Sequence, residues 1–226
     1  MTTYVLVPGA WHGPWAWERV VPLLERSGAR AVTPDLTYDR DAGLDDHVAE
    51  VVAALDAGDG DVVLVGHSYG GLVARQAADV RPVEHVVLVD GWAGPDGSSM
   101  FTLAPDAFGK AMLAAADGWR IPPPAPELFG VGAPEDVRWL KERLRPHPLR
   151  TFTDPTRLTG AVDRIPGTGI HCRPQTYPFD RFAQAVGYRT ISVEGPHDVM
   201  LTAPELLAGL LLDVRMVQNQ EARGLE

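Results

Sequence analysis

The stretch "DVVLVGHSYGGLVARQAAD", residues 61–79, sets a serine between glycines where an apolar run gives way to a helical one. Residues 61–66 are β-branched and apolar, as in a buried strand, and the segment from Tyr69 has helical apolar spacing. Gly66-His67-Ser68-Tyr69-Gly70 fits G-x-S-x-G. Between a strand and a helix, that pattern places the serine hydroxyl on a sharp turn, and the flanking glycines let the two elements pass closely. The N-terminus of the following helix favours negative charge developing nearby. Ser68 is therefore read as a nucleophile, with a plain structural turn as the alternative.

The rest of the chain supports a fold that can carry such a site. Its 226 residues suffice for one large domain with its own core. With 45% apolar and 22% charged residues it has an ordinary globular composition. A formal charge of −10 argues against nucleic acid or an anionic membrane as partner. No apolar run approaches the roughly 18 residues of a membrane span. Cys172 is the single cysteine, so no internal disulfide can form. The opening "TTYVLVPGAW" reads as a strand without a basic leader. A cytoplasmic location is the expectation, with association as a homodimer left open.

Strand and helix patterns alternate along the chain. Strands are expected at 3–8, 30–35, 61–66, 83–92, 168–172 and 188–195. Helices are expected at 16–28, after Gly43, from Tyr69, around "FDRFAQAVG" and over "APELLAGLLLDV". Strands this continuously apolar are buried on both faces, as in a parallel sheet flanked by helices. The expected fold is α/β, an open and mostly parallel six-stranded sheet with an inserted helical cap. Residues 1–94 and 167–214 form the core and 95–166 the insertion. The insertion is proline-rich and holds Phe101, Phe108, Trp119, Phe129 and Trp139, with short helices expected near 104–117 and 134–145. It is too apolar for a disordered linker. Residues 215–226 read as a polar, frayed tail.

A serine nucleophile needs a base, and the chain has seven histidines. His67 adjoins the serine and should point away from the reacting centre. His47, His85 and His147 sit in a charged helix, at a strand start and between prolines of the insertion. His197, in "SVEGPHDVMLTAPELL", follows the last strand and so shares the sheet edge of Ser68. The acid that orients it is less plain. Asp90, ending the fourth strand, is favoured; Asp180 is second, and absence of a true acid stays open. Asp198 adjoins His197 too closely in sequence to orient its ring. The oxyanion hole is expected from the amides of Tyr69 and of Ala10 in "VPGAWHGPW", since Pro8 has no N–H. No metal-spaced cluster and no phosphate-loop lysine is visible, so neither metal nor cofactor is expected.

Together "YVLVPGAWHGPWAW", "VVLVGHSYGGLV", "VVLVDGWAGPDG" and "GPHDVMLTAPELL" resemble the α/β-hydrolase superfamily. The likeness is to its small bacterial esterase-like branch, related to plant methylesterases and hydroxynitrile lyases. The resemblance implies strand order 2-1-3-4-5-6, Ser68 as nucleophile, His197 as base, and Ala10 and Tyr69 as oxyanion donors. Such an order sets the exits of strands 1 and 3 side by side at a topological switch point. Two departures stand out. Plant members carry the acid after the strand that follows the cap, where this chain offers Gln175. The lyases follow the histidine with a lysine, where this chain has Asp198, and a carboxylate there repels a departing anion.

The function expected is hydrolysis of a small carboxylic ester, such as a methyl ester, lactone or thioester, through an acyl-enzyme. An apolar pocket lined by Trp11, Trp92, Met112, Trp119 and Phe129 would favour a small apolar substrate. The alternative is a non-hydrolytic ligand-binding or cyclase-like protein with a vestigial triad. Acyl transfer to an acceptor other than water would use the same residues.

Overall fold

The computed structural model describes the backbone of residues 1–58 and 60–223, with side chains through Val214. The chain begins with β1 (Thr2–Val7), a 3-10 turn over Pro14–Trp17, α1 (Val21–Arg26) and β2 (Arg30–Val32). Next come α2 (Leu44–Asp56), β3 (Asp61–His67), α3 (Gly70–Val80) and β4 (His85–Val89). The insertion holds α4 (Met100–Leu103), α5 (Asp106–Ala115), β5 (Arg120–Ile121), α6 (Pro134–Arg143), β6 (His147–Pro148) and α7 (Arg150–Thr153). The chain returns through β7 (Gly167–Arg173), α8 (Phe179–Ala185), β8 (Arg189–Glu194), α9 (Val199–Thr202) and α10 (Pro204–Arg223).

The main sheet has six strands in the order β2-β1-β3-β4-β7-β8, all parallel. β5 and β6 form a separate antiparallel pair within the insertion. The sheet is the six-stranded parallel one expected, and its strand order matches the one implied by the family resemblance. Val5, Leu6, Val7, Val63, Leu64, Val65 and Val86–Val89 are all buried, because helices cover both faces. In this order the C-terminal ends of β1 and β3 are neighbours (Val7 opposite Gly66), with β4 beside them (His67 opposite Val89). Three loops thus meet at one edge.

Some local expectations change. The helix expected at 16–28 is broken into the 3-10 turn and α1, with Pro22 at the start of the latter, where its missing N–H is harmless. β2 stops at Val32, before Pro34. The tail expected to fray continues α10 to Arg223, and 224–226 lie outside the described residues. The insertion's two main helices fall at Asp106–Ala115 and Pro134–Arg143, close to their expected places. Among the described residues no helix is long and apolar enough to cross a membrane.

Candidate active site

Ser68 sits at the tip between β3 and α3 with φ of 51°, a left-handed conformation rare for a residue with a side chain. Such strain persists only where the surroundings over-determine it. Here the Ser68 amide donates to Val89 O at 3.1 Å, and its carbonyl accepts from Gly71 N at 2.9 Å and Trp92 N at 3.0 Å. The flanking glycines are required by space. A Cβ on Gly66 would lie 2.4 Å from Gly70 O, and one on Gly70 would lie 2.6 Å from Pro8 O.

His197 follows β8, and its Nδ1–H donates to Asp90 Oδ2 at 3.0 Å. In the neutral ring that bond places the proton on Nδ1 and leaves Nε2 as the acceptor. Ser68 and His197 line the same cavity. Asp90 is buried just past β4 with φ of 42°. Its other carboxylate oxygen accepts from Cys172 N at 2.8 Å, and its own amide donates to Ile170 O at 2.8 Å. Asp90 is thus the carboxylate that meets His197. Asp180 lies in the first turn of α8, where its amide donates to Gln175 Oε1.

Ala10 lines the cavity beside Ser68. Tyr69 caps α3, and its ring is buried. Among the described residues neither the Ala10 nor the Tyr69 amide has a protein acceptor. Free amides of this kind are what an oxyanion hole requires.

The cavity has a volume of about 380 Å³. Trp11, Trp92, Met112 and Phe129 line it, together with Phe108, Leu128, Tyr177 and Phe179. Trp119 does not line it. Its ring lies under the Arg120 guanidinium, and its carbonyl accepts from Leu149, which turns it into the β5–β6 layer. Tyr177 and Phe179 went unread. They follow β7 in "QTYPFD", and their signal was an aromatic loop at the strand's C-terminal end.

Behind His197 is a buried polar cluster that sequence spacing concealed. His67 turns away from the cavity, and its Nε2–H donates to His197 O at 3.0 Å. Asp198 is fully buried and accepts from His12 Nε2 at 3.2 Å. Burial disfavours charge on both groups, but their mutual attraction outweighs it. The carboxylate holds His12 above its ordinary 6.5, and His12 holds the Asp198 carboxyl below its ordinary 3.8. Candidate metal-ligand atoms of His67, His197 and Asp198 lie within 4.8 Å of one another, though His197 Nδ1 already serves Asp90 and His67 Nε2 the His197 carbonyl.

A parallel sheet whose nucleophile-type elbow, histidine and buried carboxylate converge at one edge defines the hydrolase class of α/β folds. The chain belongs to the alpha/beta hydrolase family, whose family model matches residues 4–210. It is 32% identical to the carbendazim hydrolyzing esterase of Nocardioides sp. (strain SG-4G), over 92% of this chain and 97% of that protein. It is 39% identical to methylesterase 9 of Arabidopsis thaliana over 39% of each chain. The fold matches an extracellular alpha/beta-hydrolase from a Paenibacillus species with a TM-score of 0.84 at 20% identity, covering 94% of this chain and 98% of that one. A pyrethroid hydrolase from Sphingobium faniae matches with a TM-score of 0.77 at 21% identity, covering 94% and 96%.

Proposed function

We propose that this protein hydrolyses small, neutral carboxylic esters through a serine acyl-enzyme. The observation that carries the reading is the His197–Asp90 pair at 3.0 Å, whose His197 lines one apolar cavity with a serine on a strained turn. Ser68 Oγ attacks the ester carbonyl while His197 Nε2 takes its proton, and Asp90 stabilises the imidazolium. The Ala10 and Tyr69 amides hold the oxyanion. Collapse expels the alcohol, protonated by His197, and water then repeats the sequence to release the acid.

The insertion acts as the cap, since Phe108, Met112, Leu128 and Phe129 come from it. Its apolar wall suits an aromatic or branched aliphatic group. Relatives named as esterases and methylesterases support the reaction type, and carbendazim belongs in the substrate panel on the strength of the relative that hydrolyses it. The ligand-binding alternative drew its support from the missing acid after β7; Asp90 supplies a carboxylate from β4 instead.

A fluorophosphonate, read by intact mass, tests the proposal. One adduct on the wild type that is lost in Ser68→Ala supports it. A folded wild type that takes up no label, under conditions that label a known serine esterase, overturns it.

A further inference from the structure

Two histidines grip opposite ends of one peptide group. The Ala10 carbonyl accepts from His12 Nδ1 at 2.8 Å, and the next amide, Trp11 N–H, donates to His147 Nδ1 at 3.3 Å. The first contact requires a proton on Nδ1, and the second requires its absence. His12 also donates from Nε2 to Asp198, so both its nitrogens carry protons. His147 is buried with no acid against it among the described residues, and burial together with His47 and His12 keeps it well below 6.5. The two rings therefore hold the peptide in opposite protonation states.

The grip is reinforced on both sides. Trp11 has φ of 65°, again left-handed without being glycine. Its carbonyl accepts from Arg145 N at 3.0 Å, and its indole N–H donates to Ile121 O at 3.1 Å. The Tyr38 hydroxyl donates to the His12 carbonyl. Arg145, Ile121 and His147 all belong to the insertion, so this segment, far away in sequence, fixes the turn after β1.

We propose that His12 and His147 are positioning residues for the Ala10 oxyanion donor, clamping the Ala10–Trp11 peptide from either end. The inference rests on the acyl-enzyme reading, in which the Ala10 amide meets the tetrahedral oxygen. Neither histidine lines the cavity or touches substrate. They act by keeping the turn from relaxing out of its left-handed conformation, and small displacements at a reacting centre are expensive in rate.

The test compares His147→Leu with His147→Asn on p-nitrophenyl butyrate, with active sites counted by fluorophosphonate. Asn places a carbonyl oxygen where Nδ1 was, and Leu places nothing polar there. The expected result is a loss of about 10- to 100-fold in kcat per titrated site for Leu, with KM changed less than threefold and Asn restoring most of the rate. Leu retaining wild-type kcat per site, or Asn failing to improve on it, overturns the proposal. If Leu does not fold, His147→Gln replaces it, since its carbonyl reaches the Nε2 position instead, and the same outcomes apply. A wild type that takes up no label overturns the acyl-enzyme reading and this one with it. Label uptake with an indifferent His147 overturns this one alone.

Discussion

Asp90 Oδ2 and His197 Nδ1 are 3.0 Å apart, although the two residues stand 107 positions apart in the chain. The carboxylate is 1% exposed, and its second oxygen is occupied by the Cys172 amide, so it has little freedom to turn. Asp90→Asn should therefore leave the fold intact and lower kcat by about 10³–10⁴-fold, because an amide no longer dictates the tautomer. Asp180→Asn should stay within twofold. Steady-state kinetics on one ester settles it, and a reversed order would remove Asp90 from the proposed triad.

The cavity wall offers polar side-chain groups from Ser68, His197, Thr176 and Tyr177, and among the described lining residues no lysine, arginine or carboxylate. A substrate carboxylate would shed its hydration without a counter-charge. A phenylacetate ester should exceed its para-carboxy analogue by at least about 100-fold in kcat/KM. Equal values would place the acyl group elsewhere.

Asp198→Asn should destabilise the protein by about 3–5 kcal/mol, since it leaves a buried His12 without its anion. The raised His12 pKa contributes stability that is present below 6.5 and lost as pH rises through the folded value. The lowered Asp198 pKa contributes stability present above 3.8 and lost as pH falls through its folded value. Urea denaturation across pH should show the largest gap between wild type and variant from 3.8 to 6.5, closing on both sides. A gap independent of pH would mean the pair is neutral.

The Arg75 guanidinium is 2% exposed and donates to Gly94 O at 2.7 Å and Asp163 Oδ1 at 2.6 Å, tying the residue before the insertion and the insertion's far end to α3. Arg75→Met keeps the bulk and removes both ties. It should lower stability by about 2–3 kcal/mol and Tm by about 5–10 °C. KM should rise more than kcat falls, because the loosened insertion forms much of the cavity wall. Calorimetry and kinetics on the same preparation check both parts.

The elbow was legible because its requirements are local: a strand, crowded glycines and a helix start within a few residues. His197 and Asp90 were legible because a parallel sheet sends every strand's C-terminal end to one edge, so a residue's position at a strand end places it. His12, His147 and Asp198 were not. Their partners lie 136 and 186 residues away for the His147 and Asp198 bonds, and nothing periodic announces them. Trp119 misled for the same reason. Its aromatic character suits a pocket wall and a hairpin face equally, and only the pairing of β5 with β6 separates the two.

With the proposed acid just past β4, the segment after β7 supplies no reacting group. Thr176, Tyr177 and Phe179 there form cavity wall instead. In a chain with its acid at that point, every change of diet would be made within a few residues of the reacting machinery. Here only Phe179, stacked on the His197 ring, ties that segment to the proposed centre, so rewriting Thr176 and Tyr177 would alter which substrates are taken while the reacting groups stay as they are.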